Sequence, residues 1–333
     1  MTVIKTRRLS AKAAIVVSFL LVAVAGLATW FYTSSSQNDQ GMCQRFLEHE
    51  RAPSALGSAY RHDLTCAELG AAIRHVTTGE PARHHSLTQA QAMKDILVAL
   101  ADITDGSHSA DRQLTTPLSL ALADYSPDMY GILSPGRDDY LSRELPSDEA
   151  WQDGKGAHMS IGAPPLFRVM TFLSGDPEAY ANLRNSLTEQ VAEELPGAPP
   201  SRTEEALSPY PTVTSWVIGK MDAVAVAAQE DMGGQESAAW DKQVLVRLSS
   251  EGGTPPSFDH DPAGYITDSW RETLPEQPPA DLLKVLEAQS VEMTRAWATA
   301  LSTSDATRSS LVTDARKSAF SAQRSALRDF SGS

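Results

Sequence analysis

Five of the eight histidines fall between positions 49 and 85, and imidazole is a common ligand for zinc and copper. They are His49, His62, His75, His84 and His85. Imidazole also changes charge near neutral pH, so the same stretch could act as a pH sensor. No two of them have the spacing of three intervening residues that places two ligands on one helical face. The favoured interpretation is therefore that no metal or other cofactor is bound, with these histidines as the alternative site.

A second polar cluster combines carboxylates with an imidazole: Asp259, His260 and Asp261, with Asp268 nearby. Such groups can bind a metal or exchange protons with a substrate, so these four are the candidate catalytic residues. The surrounding prolines and glycine are typical of a solvated turn. A turn is the favoured interpretation.

The stretch 134–163 is rich in acidic residues and could contain the carboxylate pair of a glycosidase, an activity that would suit an enzyme of the cell envelope. The acids are Asp138, Asp139, Glu144, Asp148, Glu149 and Asp153. Their spacing along the chain does not test this idea, because the chemistry depends on separation in space. The common motifs of serine hydrolases, zinc proteases and phosphate-binding loops do not occur outside the apolar N-terminal segment. The sequence thus favours a protein that is not an enzyme.

Cys43 and Cys66 are the only cysteines, and they are not in the C-x-x-C spacing of a redox pair. An even count in a segment expected to lie outside the cytoplasm predicts one disulfide.

Apolar residues at helical spacing recur through most of the chain, which predicts an all-α fold. Thr65 and Glu68, and again Ser86 and Gln89, form the capping-box pattern that begins a helix. Further helix starts are expected at Thr116-Pro117, Ser126-Pro127, Pro164-Pro165 and Asp176-Pro177. Later helices are predicted around 216–229, 237–249, 280–302 and 305–329, whereas 134–163 is expected to be a long loop or lid.

The proline-rich stretch 196–212 is the predicted internal linker. It separates an N-terminal helical region, 43–195, from a C-terminal helical region, 213–333. The sequence leaves open whether the two regions share one core.

Residues 13–32 contain no charge and, as a helix, would span about 30 Å, the thickness of the hydrocarbon part of a bilayer. The basic residues of 1–12 precede this segment, and no basic residue follows until Arg45. The positive-inside rule therefore predicts a cytoplasmic tail, one transmembrane helix and a body outside the cytoplasmic membrane, joined by a polar tether at 33–42. The alternative is a cleaved signal peptide and a secreted protein.

The net charge of −14 is unevenly distributed, and this disfavours nucleic acid as a partner. Residues 1–32 carry +4 and residues 305–333 carry +2, which leaves −20 on residues 33–304. Such a body repels phosphate backbones. Together these patterns predict a membrane-anchored helical protein, most simply a non-catalytic binding or regulatory component that contacts the bilayer through 13–32 and another envelope or secreted protein through its body. The alternatives are an envelope hydrolase and a histidine-based metal or pH sensor.

Overall fold

A computed structural model describes residues 41–104, 111–250, 253–275 and 281–331 of the protein. The predicted cytoplasmic tail, the predicted spanning helix 13–32 and the tether up to residue 40 lie outside the described residues. Among the helices in the described ranges, none combines the length and the apolar character needed to cross a bilayer.

The described chain is mostly helical, with 70% helix and 1% strand, which confirms the all-α prediction. The first half contains helical residues 41–48 (α1), Ala52–Leu56 (α2), a 3₁₀ turn at Gly57–Ala59, Cys66–Thr77 (α3), Leu87–Ile103 (α4), Arg112–Ala123 (α5), Ser126–Leu133 (α6), Asp138–Leu141 (α7), Trp151–Gln152 (β1), Ala157–His158 (β2), Ala163–Ser174 (α8) and Pro177–Glu193 (α9). The second half contains Glu204–Leu207 (α10), Pro209–Gln229 (α11), Gly234–Ser250 (α12), Pro262–Arg271 (α13), Leu282–Glu287 (α14), Gln289–Ala300 (α15) and Asp305–Ser331 (α16).

Side-chain caps explain where several helices begin. Both predicted capping boxes are formed, at Thr65 with Glu68 for α3 and at Ser86 with Gln89 for α4. In each box the side chain of the cap and that of the third helical residue satisfy backbone N–H groups that the helix itself leaves free. Asp176 caps α9 in a related way, because its carboxylate accepts a hydrogen bond from the backbone N–H of Glu178 (3.1 Å).

The prediction that Thr116-Pro117 begins a helix is wrong, because α5 begins at Arg112. Asp111 caps it by accepting the backbone N–H of Gln113 (2.8 Å), and Pro117 then lies inside the helix. Proline has no N–H, so the carbonyl oxygen of Gln113 lacks its usual helical donor. Gly70 of α3 packs there: a Cβ on Gly70 would lie 2.5 Å from that oxygen. The close approach of α3 to the proline therefore requires glycine.

The stretch 134–163 contains short regular elements as well as loops. It includes α7 and an antiparallel two-stranded hairpin in which Trp151 lies opposite His158 and Gln152 opposite Ala157. Two-residue strands lack the alternating pattern that identifies a strand in a sequence, and the sequence predicted only a loop here.

One continuous cluster of buried residues extends from Met42 to Ala326 and includes members from both sides of 196–212. Helix α9 lies near its centre and packs against α5, α6, α8, α11, α12 and α13. The proline-rich stretch is itself held to the body, since Trp297 donates its indole N–H to the carbonyl oxygen of Pro196 (2.9 Å). The two helical regions therefore share one core.

The most extensive helix pair joins α11 to α16. The backbone of Ala319 in α16 lies so near Gly219 in α11 that a Cβ on Gly219 would be 2.1 Å from the Ala319 carbonyl oxygen. The predicted helix 280–302 is divided at Ala288 into α14 and α15, and the resulting corner lies beside α11 and α16.

The predicted disulfide is present and links Cys43 in α1 to Cys66 at the first residue of α3, with a Cα–Cα distance of 5.5 Å. It fixes the first described helix to the body.

Candidate functional site

The histidines near the N-terminus make separate local contacts. Nε2 of His49 lies 3.5 Å from Oδ2 of Asp102, and Nδ1 of His62 lies 2.9 Å from the Tyr60 hydroxyl. His75 and His84 are exposed to solvent, and His84 contacts only its own loop among the described residues, through Nδ1 and the Ala82 carbonyl oxygen (3.1 Å). Within the described parts of the chain, no group of three or more histidine, cysteine or acidic side chains is placed to hold a metal ion.

His85, the fifth member, is packed against the body. Its ring stacks on Tyr125 with centroids 3.8 Å apart, and its Nε2 lies 3.3 Å from the carbonyl oxygen of Asp124. Burial lowers the pKa of His85 below its ordinary value, which favours the neutral ring. Tyr125 in turn donates its hydroxyl to the carbonyl oxygen of Thr77 (2.6 Å). His85 thus helps to pack the end of α5 against α3.

The four candidate catalytic residues lie at or near α13 and have different surroundings. Asp261 caps α13 by accepting the backbone N–H of Gly264 (2.9 Å). Asp268 lies 3.3 Å from a guanidinium nitrogen of Arg271, one turn along the helix. The remaining two candidates, both exposed, are Asp259 and His260. The contacts seen here, a helix cap and an i,i+3 ion pair, are those of a structured turn.

A carboxylate–imidazole contact that the sequence analysis missed holds the hairpin to α6. Nδ1 of His158 lies 2.8 Å from Oδ1 of Asp128, and Nε2 lies 3.0 Å from Oδ1 of Asp153. The Tyr140 hydroxyl and the backbone N–H of Met159 also donate to Asp128, at 2.8 and 3.1 Å. The hydrogen bond to Asp128 raises the pKa of His158 above its ordinary value. Because carboxylates contact both ring nitrogens, this arrangement orients the hairpin and leaves no ring nitrogen for a substrate.

The acids of 134–163 are partly used by the fold in the same way. Asp148 accepts the backbone N–H of Leu145 (2.8 Å), and Asp153 accepts the backbone N–H groups of Lys155 (2.6 Å) and Gly156 (3.2 Å). These contacts shape turns. Asp128, which joins the stretch to α6, could not be singled out in the sequence, since an acid in the first turn of a helix is already explained by the helix dipole.

An open groove of 840 Å³ lies between α2, the start of α4 and the loop after α7. We call it the N-terminal groove. It is lined by Arg51, Ser54, Ala55, Leu56, Gly57, Ser58, Val76, Leu87, Thr88, Gln91, Ala92, Asp95, Pro146, Ser147, Asp148, Glu149 and Ala150.

The polar side chains in the middle of the N-terminal groove are bound to one another. A guanidinium nitrogen of Arg51 lies 2.9 Å from Oδ1 of Asp95. Gln91 donates to the other oxygen of Asp95 (3.2 Å) and accepts the backbone N–H of Ala150 (2.8 Å). Next to Asp95 in the chain, Lys94 is fully buried, donates to a backbone carbonyl oxygen (3.0 Å) and has its pKa lowered by burial. These groups are engaged in holding α4 to the loop.

A second concavity, the C-terminal cleft, measures 530 Å³ and lies between α11, the α14–α15 corner and α16. Its lining residues are Asp222, Lys284, Glu287, Ala288, Val291, Glu292, Arg295, Arg316, Lys317, Ala319, Phe320 and Gln323.

A buried polar network lies behind the C-terminal cleft. Arg184 of α9 is fully buried, and its Nη1 lies 2.9 Å from Oδ1 of Asp222. The guanidinium also donates to Oε1 of Gln289 (2.9 Å), the Tyr180 hydroxyl (2.6 Å) and the carbonyl oxygen of Leu286 (2.9 Å). Burial raises the pKa of Asp222 to about 6, although the Arg184 charge opposes that shift. The close contact of Arg184 with Asp222 ties α9 to α11, and its hydrogen bond to Leu286 ties α9 to α14.

Comparison of the chain with family profiles, with curated protein sequences and with solved structures finds no match in any of the three.

Proposed function

We propose that this protein is a membrane-anchored, extracytoplasmic helical protein that binds a segment of another envelope protein in its N-terminal groove, without catalysis. The observation that carries the proposal is the groove itself, a large open surface between α2, the start of α4 and the loop after α7.

The position of the groove supports a partner at the membrane surface. The tether predicted at 33–42 can extend at most about 30 Å, so the body would stay near the bilayer. The groove begins at Arg51, only ten residues after the first described position, and the intervening helix is held in the core by Phe46 and Leu47. A partner bound there would therefore be held close to the membrane.

The chemistry of the groove suggests the kind of segment that it binds. Leu87 is 44% exposed beside the partly buried Val76 and the buried Leu56, which together offer an apolar surface. Asp148 and Glu149 add two negative charges at the rim. An extended or helical peptide with apolar residues and at least one lysine or arginine complements this surface in shape and charge.

Site-specific photo-crosslinking in cells of the source organism tests the proposal. Benzoylphenylalanine at Thr88, which is exposed in the groove, should give one major adduct with an envelope protein. The same probe at Lys242, exposed on α12, is the matched control and should not give that adduct. Reversing the rim charge with Glu149→Lys, at an exposed position, should reduce the Thr88 adduct severalfold.

The crosslinked peptide should contain a basic residue among apolar ones. Binding in the groove would be refuted if the probes at Thr88 and Lys242 gave the same adduct in equal yield. It would also be refuted if charge reversal left the yield of the Thr88 adduct unchanged. The mass of the mature chain tests the anchor: an intact N-terminus supports it, whereas cleavage within 13–32 would show a secreted protein.

A further inference from the structure

We propose that the C-terminal cleft binds a small amphipathic anion, with an apolar body and one phosphate or carboxylate group. This inference is independent of the N-terminal groove and of its proposed protein partner, because the two surfaces share no residue.

The size and one wall of the cleft suit the apolar part of such a molecule. A volume of 530 Å³ lies within the usual range for small-molecule sites, about 300–1,000 Å³. Val291, Ala319 and Phe320 supply apolar surface from two different helices. The Phe320 ring is 56% exposed, and the guanidinium of Arg324 lies 5.5 Å from its centroid. The exposed ring can pack against the apolar part of a ligand, while the neighbouring cation attracts its anionic group.

The charges around the cleft favour an anion. Lys284 and Arg295 each have an acidic neighbour on their own helix or at its cap. Arg316 and Lys317 are exposed on α16, and neither forms an ion pair within the described ranges of the chain. Against these four cations the cleft lining has three acids, Asp222, Glu287 and Glu292, so its formal charge is +1 on a body whose residues 33–304 carry −20. The Arg316 and Lys317 side chains both line the cleft, and a guanidinium or an ammonium without an acidic partner can bind a phosphate or carboxylate there.

A buried polar group on the other side of the cleft has unused hydrogen-bonding capacity. Asp222 lines the cleft although only 3% of the residue is exposed. Nη1 of Arg184 lies 2.9 Å from Oδ1, and three of the five guanidinium N–H groups donate to other acceptors. Among the described residues, Oδ1 receives no well-aligned hydrogen bond. Buried polar atoms normally have such a partner. A hydroxyl or amine on the ligand could donate to this carboxylate while the anionic group contacts Arg316 and Lys317.

Calorimetric titration of the full-length protein in phosphatidylcholine nanodiscs tests the proposal, with octyl phosphate as the probe and empty nanodiscs as the blank. Saturable binding of octyl phosphate is expected, with octanol and octyltrimethylammonium bound at least about tenfold more weakly because they lack the anionic group. The double substitution Arg316→Gln with Lys317→Gln should weaken octyl phosphate binding by about tenfold or more. Both side chains are exposed, so the fold should be retained.

Two further variants separate a true site from a general charge effect. Arg74→Gln with Lys242→Gln removes the same two charges from exposed positions outside the cleft and should leave binding unchanged. Ala288→Trp places a bulky ring at an exposed position in the cleft and should block binding without changing the charge. The proposal would be overturned if the two charge-removing pairs weakened binding equally or if Ala288→Trp bound octyl phosphate normally. It would also be overturned if the unmodified protein showed no saturable binding.

A second titration, in nanodiscs that contain phosphatidylglycerol, distinguishes the sources of the anion. If the apparent affinity for octyl phosphate falls as the phosphatidylglycerol content of the nanodiscs rises, the occupant is a bilayer lipid headgroup. Affinity that does not change would identify a soluble anion.

Discussion

Replacing Arg184 by methionine should strongly destabilise the protein, because every polar contact of this fully buried guanidinium lies inside the core. Three neutral acceptors, on Gln289, Tyr180 and Leu286, would lose a donor. The carboxylate of Asp222 would also lose its counter-ion at 2.9 Å. Breaking a buried ion pair from one side costs about 3–5 kcal/mol, so a loss of this size in the free energy of unfolding is expected near neutral pH.

The loss should be smaller in acid, because Asp222 can then take up a proton. Burial holds its pKa at about 6 even with Arg184 present, and without that charge the pKa rises further. A carboxyl group whose folded pKa exceeds its unfolded value near 3.8 lowers the stability of the folded state as the pH rises through that interval. The difference between the unmodified protein and Arg184→Met should therefore be larger at pH 8 than at pH 5.

Urea unfolding of the full-length protein in detergent micelles, followed by tryptophan fluorescence, measures these effects. The buried rings of Trp240, Trp270 and Trp297 report on the core. The matched variants are Asp222→Leu and the double variant Arg184→Met with Asp222→Leu. If the ion pair is the cause, the double variant should be more stable than the sum of the two single losses predicts, by about 1–3 kcal/mol. Additive losses, or an effect of Arg184→Met that is the same at pH 5 and pH 8, would refute this reasoning.

Three further predictions use the same unfolding assay. First, His158→Gln should lower the free energy of unfolding below about pH 6.5. This loss should shrink as the pH rises through the raised folded pKa of His158, because the raised pKa stabilises the folded state only while the ring is protonated. Second, replacing Cys43 and Cys66 together by serine should cost about 3 kcal/mol, the loop-closure entropy for a sequence separation of 23. Third, Gly219→Ala should cost about 1–3 kcal/mol by forcing α11 away from α16, whereas Gly233→Ala, where a Cβ meets nothing within 4 Å, should have little effect.

Each of these predictions has its own contradicting result. A pH-independent effect of His158→Gln would mean that the ring acts only by filling space. Equal urea midpoints for oxidised protein and the double serine variant would mean that the disulfide does not constrain the unfolded chain. Equal effects at Gly219 and Gly233 would mean that the two helices can separate without cost.

Local features of this fold could be predicted from the sequence because their causes are local. The two capping boxes and the cap at Asp176 satisfy helix ends within three residues, so their spacing alone identifies them. The start of α5 was misplaced because proline usually marks a first turn, whereas here Asp111 supplies the cap and Pro117 lies inside the helix.

The polar networks could not be predicted in the same way, because their partners are distant in sequence. Asp128 and His158 are 30 residues apart. Helical periodicity indicates which face of a helix is buried, but it does not identify the residues that pack against that face. The position of Arg184 in the sequence does indicate a buried polar network. It lies one turn after Tyr180 on the apolar face of α9, where a charged side chain requires a buried partner. The identity of that partner, Asp222, required the fold. The N-terminal groove and the C-terminal cleft likewise exist only once distant segments have packed.

The pairing of α11 with α16 has a consequence for how the chain is made. Synthesis proceeds from the N-terminus, and α11 ends at Gln229, so it is complete 76 residues before α16 begins at Asp305. Until then the face of α11 around Gly219 has no cover, and one wall of the C-terminal cleft is missing. The body therefore reaches its final packing only after translation of its last helix. A chain truncated before position 305 would keep the disulfide and the N-terminal groove and would still expose part of its core, which would make it prone to proteolysis and aggregation.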